Sequence, residues 1–178
     1  MASILKVNTI QDATNSNTAL SIDSDGTTLP QKVPACLIYR ANAYSGDMTL
    51  NSYTKVPYDT ASINTHSMAD VSNNRINFTT ATAGLYYCWG QIGGNLGNTL
   101  IRYNVALRKN GSTYIANTEI SDNQNGTNKY PLVGAGTIHS FVDGDNLDCA
   151  YYIQSGSGVS YGSYSVGLHY LYCYRISA

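Results

Sequence analysis

Nine short runs rich in β-branched and aromatic residues, separated by Gly, Asn and Asp, constrain this chain more than any other feature. They are ACLIYRANA (35–43), YTKVPYD (53–59), RINFTT (75–80), GLYYCWGQI (84–92), NTLIRYNVALRK (98–109), STYIANTEI (112–120), YPLVGAGTIHSFV (130–142), NLDCAYYIQ (146–154) and YSVGLHYLYCYRI (164–176). Such residues suit a pleated surface and lose side-chain freedom against a helical turn. The single glutamate, Glu119, and the abundance of Gly, Asn, Ser, Thr and Tyr leave no window that reads as an amphipathic helix. The pattern predicts an all-β fold, an antiparallel sandwich or jelly roll. GLYYCWGQI reads as a strand buried on both faces, because it carries no polar alternation.

Other runs alternate as a half-buried strand should. Ile101, Tyr103, Val105 and Leu107 share one face, with Arg102, Asn104 and Arg108 on the other. Asn110-Gly111 follows, a pair that accepts the positive φ angles of a type I′ turn and predicts a tight hairpin into Ser112. VDGDN (142–146) reads as a second hairpin turn. If successive strands are antiparallel, these short turns share one pole of the sandwich. The long, polar connections GGNLGN (93–98), SDNQNGTNK (121–129) and SGSGVSYGS (155–163) then share the other. Working surfaces concentrate on such loops.

Charge and motifs exclude several function classes. Ten basic and eleven acidic residues are scattered singly, for a net charge of -1, so no basic stripe exists to neutralise phosphates or an acidic membrane. The opening MASILKVNTIQDATNSN lacks the apolar stretch of a signal peptide, which sets an expectation of no export by the general secretory route. Cys36, Cys88, Cys149 and Cys173 lie far apart, without C-x-x-C or a nearby His, and each sits in an apolar run; we expect buried free thiols rather than zinc ligands. His66, His139 and His169 form no H-x-x-x-H pattern, and no G-x-S-x-G turn occurs, so no catalytic residues are assigned. Asp143, Asp145 and Asp148 lack the spacing of a calcium loop, and the first two read as turn formers. The expectation is a non-enzymatic protein without metal or cofactor.

The chain breaks near Pro30 and Pro34. Before it, the sizeable apolar residues are few, chiefly Ile4, Leu5, Val7, Ile10, Leu20 and Ile22, too sparse for a core. Residues 1–32 therefore read as an attachment arm, with Ile4, Leu5, Val7 and Ile10 as its anchoring positions, and 33–178 as the folded domain.

Four stretches in order resemble a known family. FTTATAGLYYCWG resembles the F-T-x-x-x-x-G-x-Y-x-F signature of tumour-necrosis-factor-like jelly rolls, particularly the globular heads of the first complement component. VPACLIYRA (33–41), VALRKNG (105–111) and SFVDGDNLDC (140–149) resemble the family's opening strand, its K-N-G hairpin and its G-D segment. Cys36 and Cys88 stand where the family usually has phenylalanine, and no collagen-like G-X-Y stalk precedes the domain. The first residues, MASILKVNTIQDATNSNTALSID, resemble the opening of structural proteins of marine tailed bacteriophages. Together these resemblances imply a homotrimeric knob on a virion surface, anchored to capsid or tail proteins through the arm, with a secreted or cell-surface lectin-like module as the alternative.

Sixteen tyrosines are more than one small sandwich can hide, and Tyr suits interfaces because its ring buries while its hydroxyl finds a partner. Either the stripe Tyr170, Tyr172 and Tyr174 or that of Tyr151 and Ile153 packs near a threefold axis, unless it faces the core of its own subunit. At the loop pole Asn95, Asn123, Asn125, Tyr161 and Tyr164 combine stacking and hydrogen-bonding groups suited to a host glycan.

Overall fold

In the computed structural model of the chain the described residues are 9–11, 18–22, 28–30, 33–42, 49–93, 100–121, 132–155 and 169–177. The chain separates into two compact units, Met1–Val33 and Pro34–Ala178. In the first, β1 (Thr9–Gln11), β2 (Thr18–Ile22) and β3 (Thr28–Pro30) form an antiparallel sheet in the order β1-β2-β3. Pro30 ends an edge strand, a position that tolerates the missing N–H. Ile10 lies on β1 opposite Leu20, whereas Ile4, Leu5 and Val7 fall outside the described residues.

The second unit is a sandwich of two antiparallel sheets. Its strands are β4 (Ala35–Tyr39), β5 (Thr54–Lys55), β6 (Thr60–Asn64), β7 (Ala69–Asp70), β8 (Arg75–Asn77), β9 (Gly84–Gly93), β10 (Leu100–Lys109), β11 (Thr113–Ser121), β12 (Leu132–Phe141), β13 (Asn146–Ser155) and β14 (Tyr170–Ser177). One sheet runs β12-β9-β14-β4-β6; the other runs β11-β10-β13-β8-β7, with β5 also on β13. The all-β expectation holds. Tyr103, Val105 and Leu107 point into the core as their alternation requires, while the side chain of Ile101 lies outside the described residues. Asn110 and Gly111 both take positive φ, 54° and 73°, and close the β10–β11 hairpin.

VDGDN does not make a hairpin. It joins β12, paired to β9, with β13, paired to β10, so the turn carries the chain from one sheet to the other. The two turns nevertheless interlock at one pole. Asn110 donates its backbone N–H to the Asn146 carbonyl (2.9 Å) and its side-chain amide to Asp145 (2.9 Å), and accepts from the Asn146 N–H (2.9 Å). Lys109 pairs with Asp145 at 2.7 Å, and Asp145 also accepts from the Val142 N–H. Asp145 is thus a turn former; Asp148 belongs to the body of β13 instead, fully buried between Arg108 of β10 (2.8 Å) and Lys55 of β5 (3.4 Å).

Phe78 and Phe141 stack with centroids 4.0 Å apart in the core, and Tyr86 meets both edge-on while its hydroxyl donates to the Thr82 carbonyl. Cys36, Cys173 and Cys88 stand side by side across β4, β14 and β9, facing inward, with Cys149 buried as the fourth thiol. Smaller side chains therefore fill this part of the core. Burial pushes the thiols of Cys36, Cys88 and Cys149 up to about 12 and raises that of Cys173 as well.

Candidate functional site: an uncharged aromatic sheet face

Parity decides which tyrosines remain available. On β13 the inward set is Leu147, Cys149, Tyr151 and Ile153; Tyr151 is 1% exposed and Ile153 0%. The expectation that this stripe lies between copies is corrected: these side chains are consumed by the core of their own subunit. On β14 the inward set is Leu171 and Cys173, which turns Tyr170, Tyr172 and Tyr174 to the outer face of the five-stranded sheet.

Neighbouring strands extend that face by the same period of two. In β9, Tyr86, Cys88 and Ile92 enter the core while Leu85, Tyr87 and Trp89 are half-buried on the outside, so this strand is not covered on both faces within one subunit. Tyr87 lies opposite Tyr174 and Trp89 opposite Tyr172, with ring centroids 5.5 Å apart for Tyr87 and Tyr174 and 6.0 Å for Tyr87 and Tyr172. Tyr170 stacks toward Tyr172 at 6.1 Å and donates its hydroxyl to Gln91 (2.9 Å). Burial, then the adjoining phenols of Tyr87, Tyr170 and Tyr174, push the Tyr172 hydroxyl up to about 12.

Trp89 lies over the edge strand. A Cβ added at Gly134 or Gly136 of β12 would come within 2.5 Å of the indole ring, so glycine at both positions gives the ring its floor. The indole N–H is shielded and has no acceptor among the described residues. At the other side of the face, Leu37, Tyr39, Ile63, Tyr170, Tyr172 and Tyr174 line a groove of about 500 Å³ in which no lining residue is charged. Tyr174, Ile63 and Ile138 are 47%, 46% and 57% exposed. Monomeric soluble domains rarely expose large contiguous apolar surface of this kind.

The remaining candidates are placed as follows. His139, on β12 opposite Tyr86, packs edge-on against Phe141, and burial lowers its pKa. His169 sits near the other end of the same sheet, buried, its Nε2 2.6 Å from the Gly93 carbonyl; burial and then Arg40 push its pKa down to about 4, so the ring is neutral and donates that bond. His66 is exposed at a positive φ of 60°. Among the described residues no group of three or more His, Cys, Asp or Glu side chains is placed to hold a metal. The strand ends that carry the long connections share one pole, since Gly93 opposes Leu132, Tyr170 opposes Gln91, and Leu100 opposes Ser155. Asn95, Asn123, Asn125, Tyr161 and Tyr164 themselves lie outside the described residues.

No known family's sequence profile matches the chain, and no curated protein is significantly similar to it. Among solved structures, the globular domain of the zebrafish complement 1qA protein is similar, with a TM-score of 0.54 at 11% identity, over 80% of this chain and 97% of that one. At that identity the likeness establishes the fold, a complement-head-like jelly roll of two antiparallel sheets.

Proposed function

We propose that the chain is a non-catalytic binding module that assembles as a homotrimer through the outer face of the β12-β9-β14-β4-β6 sheet. The observation that carries this reading is the uncharged aromatic face itself. Tyr87, Trp89, Tyr170, Tyr172 and Tyr174 lie on the adjacent strands β9 and β14 and share the outer face of the sheet, and aromatics of this kind suit interfaces. Three copies meeting there hide a surface that a lone 19.2 kDa chain exposes.

The trimer is proposed to be a knob on a virion surface, anchored by residues 1–32, with Ile4, Leu5, Val7 and Ile10 inserted into a capsid or tail protein. Support comes from the likeness of the opening residues to phage structural proteins and from the small sheet of the first unit, which has too few residues for a core of its own. The second unit begins near the turn pole, because Ala35 pairs with Tyr174 and Pro34 accepts from the Arg175 N–H, and the strand ends that carry the long loops are at the other pole. Those loops, with Asn95, Asn123, Asn125, Tyr161 and Tyr164, are thereby proposed as distal and free to meet a host receptor.

Mass photometry of the full chain tests the assembly: a species near three times 19.2 kDa, about 58 kDa, is expected down to nanomolar dilution, and one at the mass of a single chain rejects it. Peptide mass spectrometry of purified particles tests the location, since the chain should be present in stoichiometric amount.

A further inference from the structure

The opposite layer of the sandwich carries a second aromatic cluster of different character. Tyr53, in the segment leading into β5, has its ring centroid 5.1 Å from Tyr114 of β11 and 5.2 Å from Tyr152 of β13. Its hydroxyl donates to Oδ1 of Asn104 (3.0 Å), a residue that is itself 1% exposed, so the ring is fixed at its tip as well as by its two ring neighbours. Arg102 lies 5.7 Å above the Tyr152 ring and reaches Glu119 through two nitrogens, Nε at 2.6 Å and Nη2 at 2.5 Å. The second Glu119 oxygen accepts from Ser121 at 3.2 Å. The Arg102 guanidinium, with smaller help from Ser121 and Asn104, holds the Glu119 carboxyl below its usual range.

These groups contribute nothing to the core, yet they are organised. Tyr114 is 50% exposed and the Arg102 and Glu119 side chains are 44% and 36% exposed, so an aromatic ledge with a fixed donor–acceptor fork beside it faces solvent. We infer that Tyr114, Tyr53 and the Arg102–Glu119 pair form a binding ledge for an uncharged sugar. An aromatic ring attracts the positively polarised C–H face of a pyranose. Beside it, a carboxylate can accept from sugar hydroxyls while a guanidinium donates to sugar oxygens. The two charges of the fork cancel, which selects neutral sugars over sulfated or sialylated ones. Because β10 and β11 hold the fork and Asn104 holds Tyr53, little freedom is lost on binding.

This inference deepens the proposed reading, since the trimer face lies on the other sheet and leaves the ledge outward. The two are tested separately. Saturation-transfer NMR on the full chain uses maltotriose, cellotriose and mannotriose as neutral probes, with 6′-sialyllactose as the charged one. Saturation is expected on the C–H protons of at least one neutral trisaccharide and not on the charged probe. Tyr114→Ala should weaken binding about tenfold, the worth of one aromatic contact. Glu119→Gln, an exposed isosteric change that keeps the fold, should weaken it likewise. Tyr174→Arg, on the opposite face, should leave sugar binding intact even where it separates the copies. Absence of transfer to all three neutral sugars, binding of the sialylated probe alone, or unchanged affinity in both ledge variants overturns the inference.

Discussion

Asp148→Ala should be the most damaging single truncation of a charged side chain in the second unit. The carboxylate is fully buried on β13, 2.8 Å from the Arg108 guanidinium and 3.4 Å from Lys55, and the Arg108 side chain is only 10% exposed. Removing the acid leaves Arg108 charged where water reaches it poorly. Breaking a buried pair by deleting one partner costs about 3–5 kcal/mol, whereas exposed pairs are worth about 0–1 kcal/mol. For a domain of this size that lowers the melting temperature by roughly 10 °C. Urea melts followed by far-ultraviolet circular dichroism measure it, at fixed chain concentration because association adds to apparent stability. Replacing both partners together, Asp148→Leu with Arg108→Met, should recover much of the loss, since what is costly is the orphaned charge rather than the missing attraction. A loss below about 1 kcal/mol for Asp148→Ala would refute the reasoning, as it would mean that Arg108 finds solvent without its partner.

Three further outcomes are expected. Gly136→Ala brings a methyl within 2.5 Å of Trp89 and should cost about 1–3 kcal/mol while shifting the emission of the chain's one tryptophan; unchanged fluorescence would contradict the flat seating of the indole. The four buried thiols should ignore a disulfide reagent at pH 8 in the folded state and react together in denaturant, whereas rapid native labelling would contradict their placement. His169 protonates near 6.5 when unfolded but only near 4 when folded, so between those values the unfolded state binds the extra proton and stability falls as pH drops. The loss should total about 3 kcal/mol across that window, and urea melts of wild type against His169→Gln should converge as pH falls if the account holds.

Local chemistry made much of this fold readable. Alternation placed Tyr103, Val105 and Leu107 on the core side of β10, and Asn110-Gly111 announced its turn through the positive φ angles that both residues adopt. The same logic stopped short at VDGDN. Its turn forms as its residues dictate, but whether the next strand pairs with its predecessor or crosses to the other sheet depends on which edge is free, and no local signal encodes that. Parity likewise grouped Tyr151 with Ile153 and Tyr170 with Tyr172 and Tyr174, without saying which group faces inward; the answer came from β13 turning Tyr151 and Ile153 into the core and β14 turning Leu171 and Cys173 inward. Asp148 was illegible as a buried group because Arg108 and Lys55, its partners, lie 40 and 93 residues away. The Tyr53 ledge was missed for the same reason, being assembled from three segments that only the folded sheet brings together.

The central claim is that three copies meet on the tyrosine face, and sedimentation equilibrium of Tyr174→Arg beside wild type and Tyr114→Arg tests it most directly. Tyr174 is 47% exposed, so a charge there is tolerated by the lone subunit but not inside an apolar contact. The account predicts about 58 kDa for wild type and for Tyr114→Arg, three times the 19.2 kDa chain, and a large shift of Tyr174→Arg toward the single-chain mass. Wild type sedimenting as one chain at micromolar concentration, or Tyr174→Arg remaining fully assembled, would contradict it.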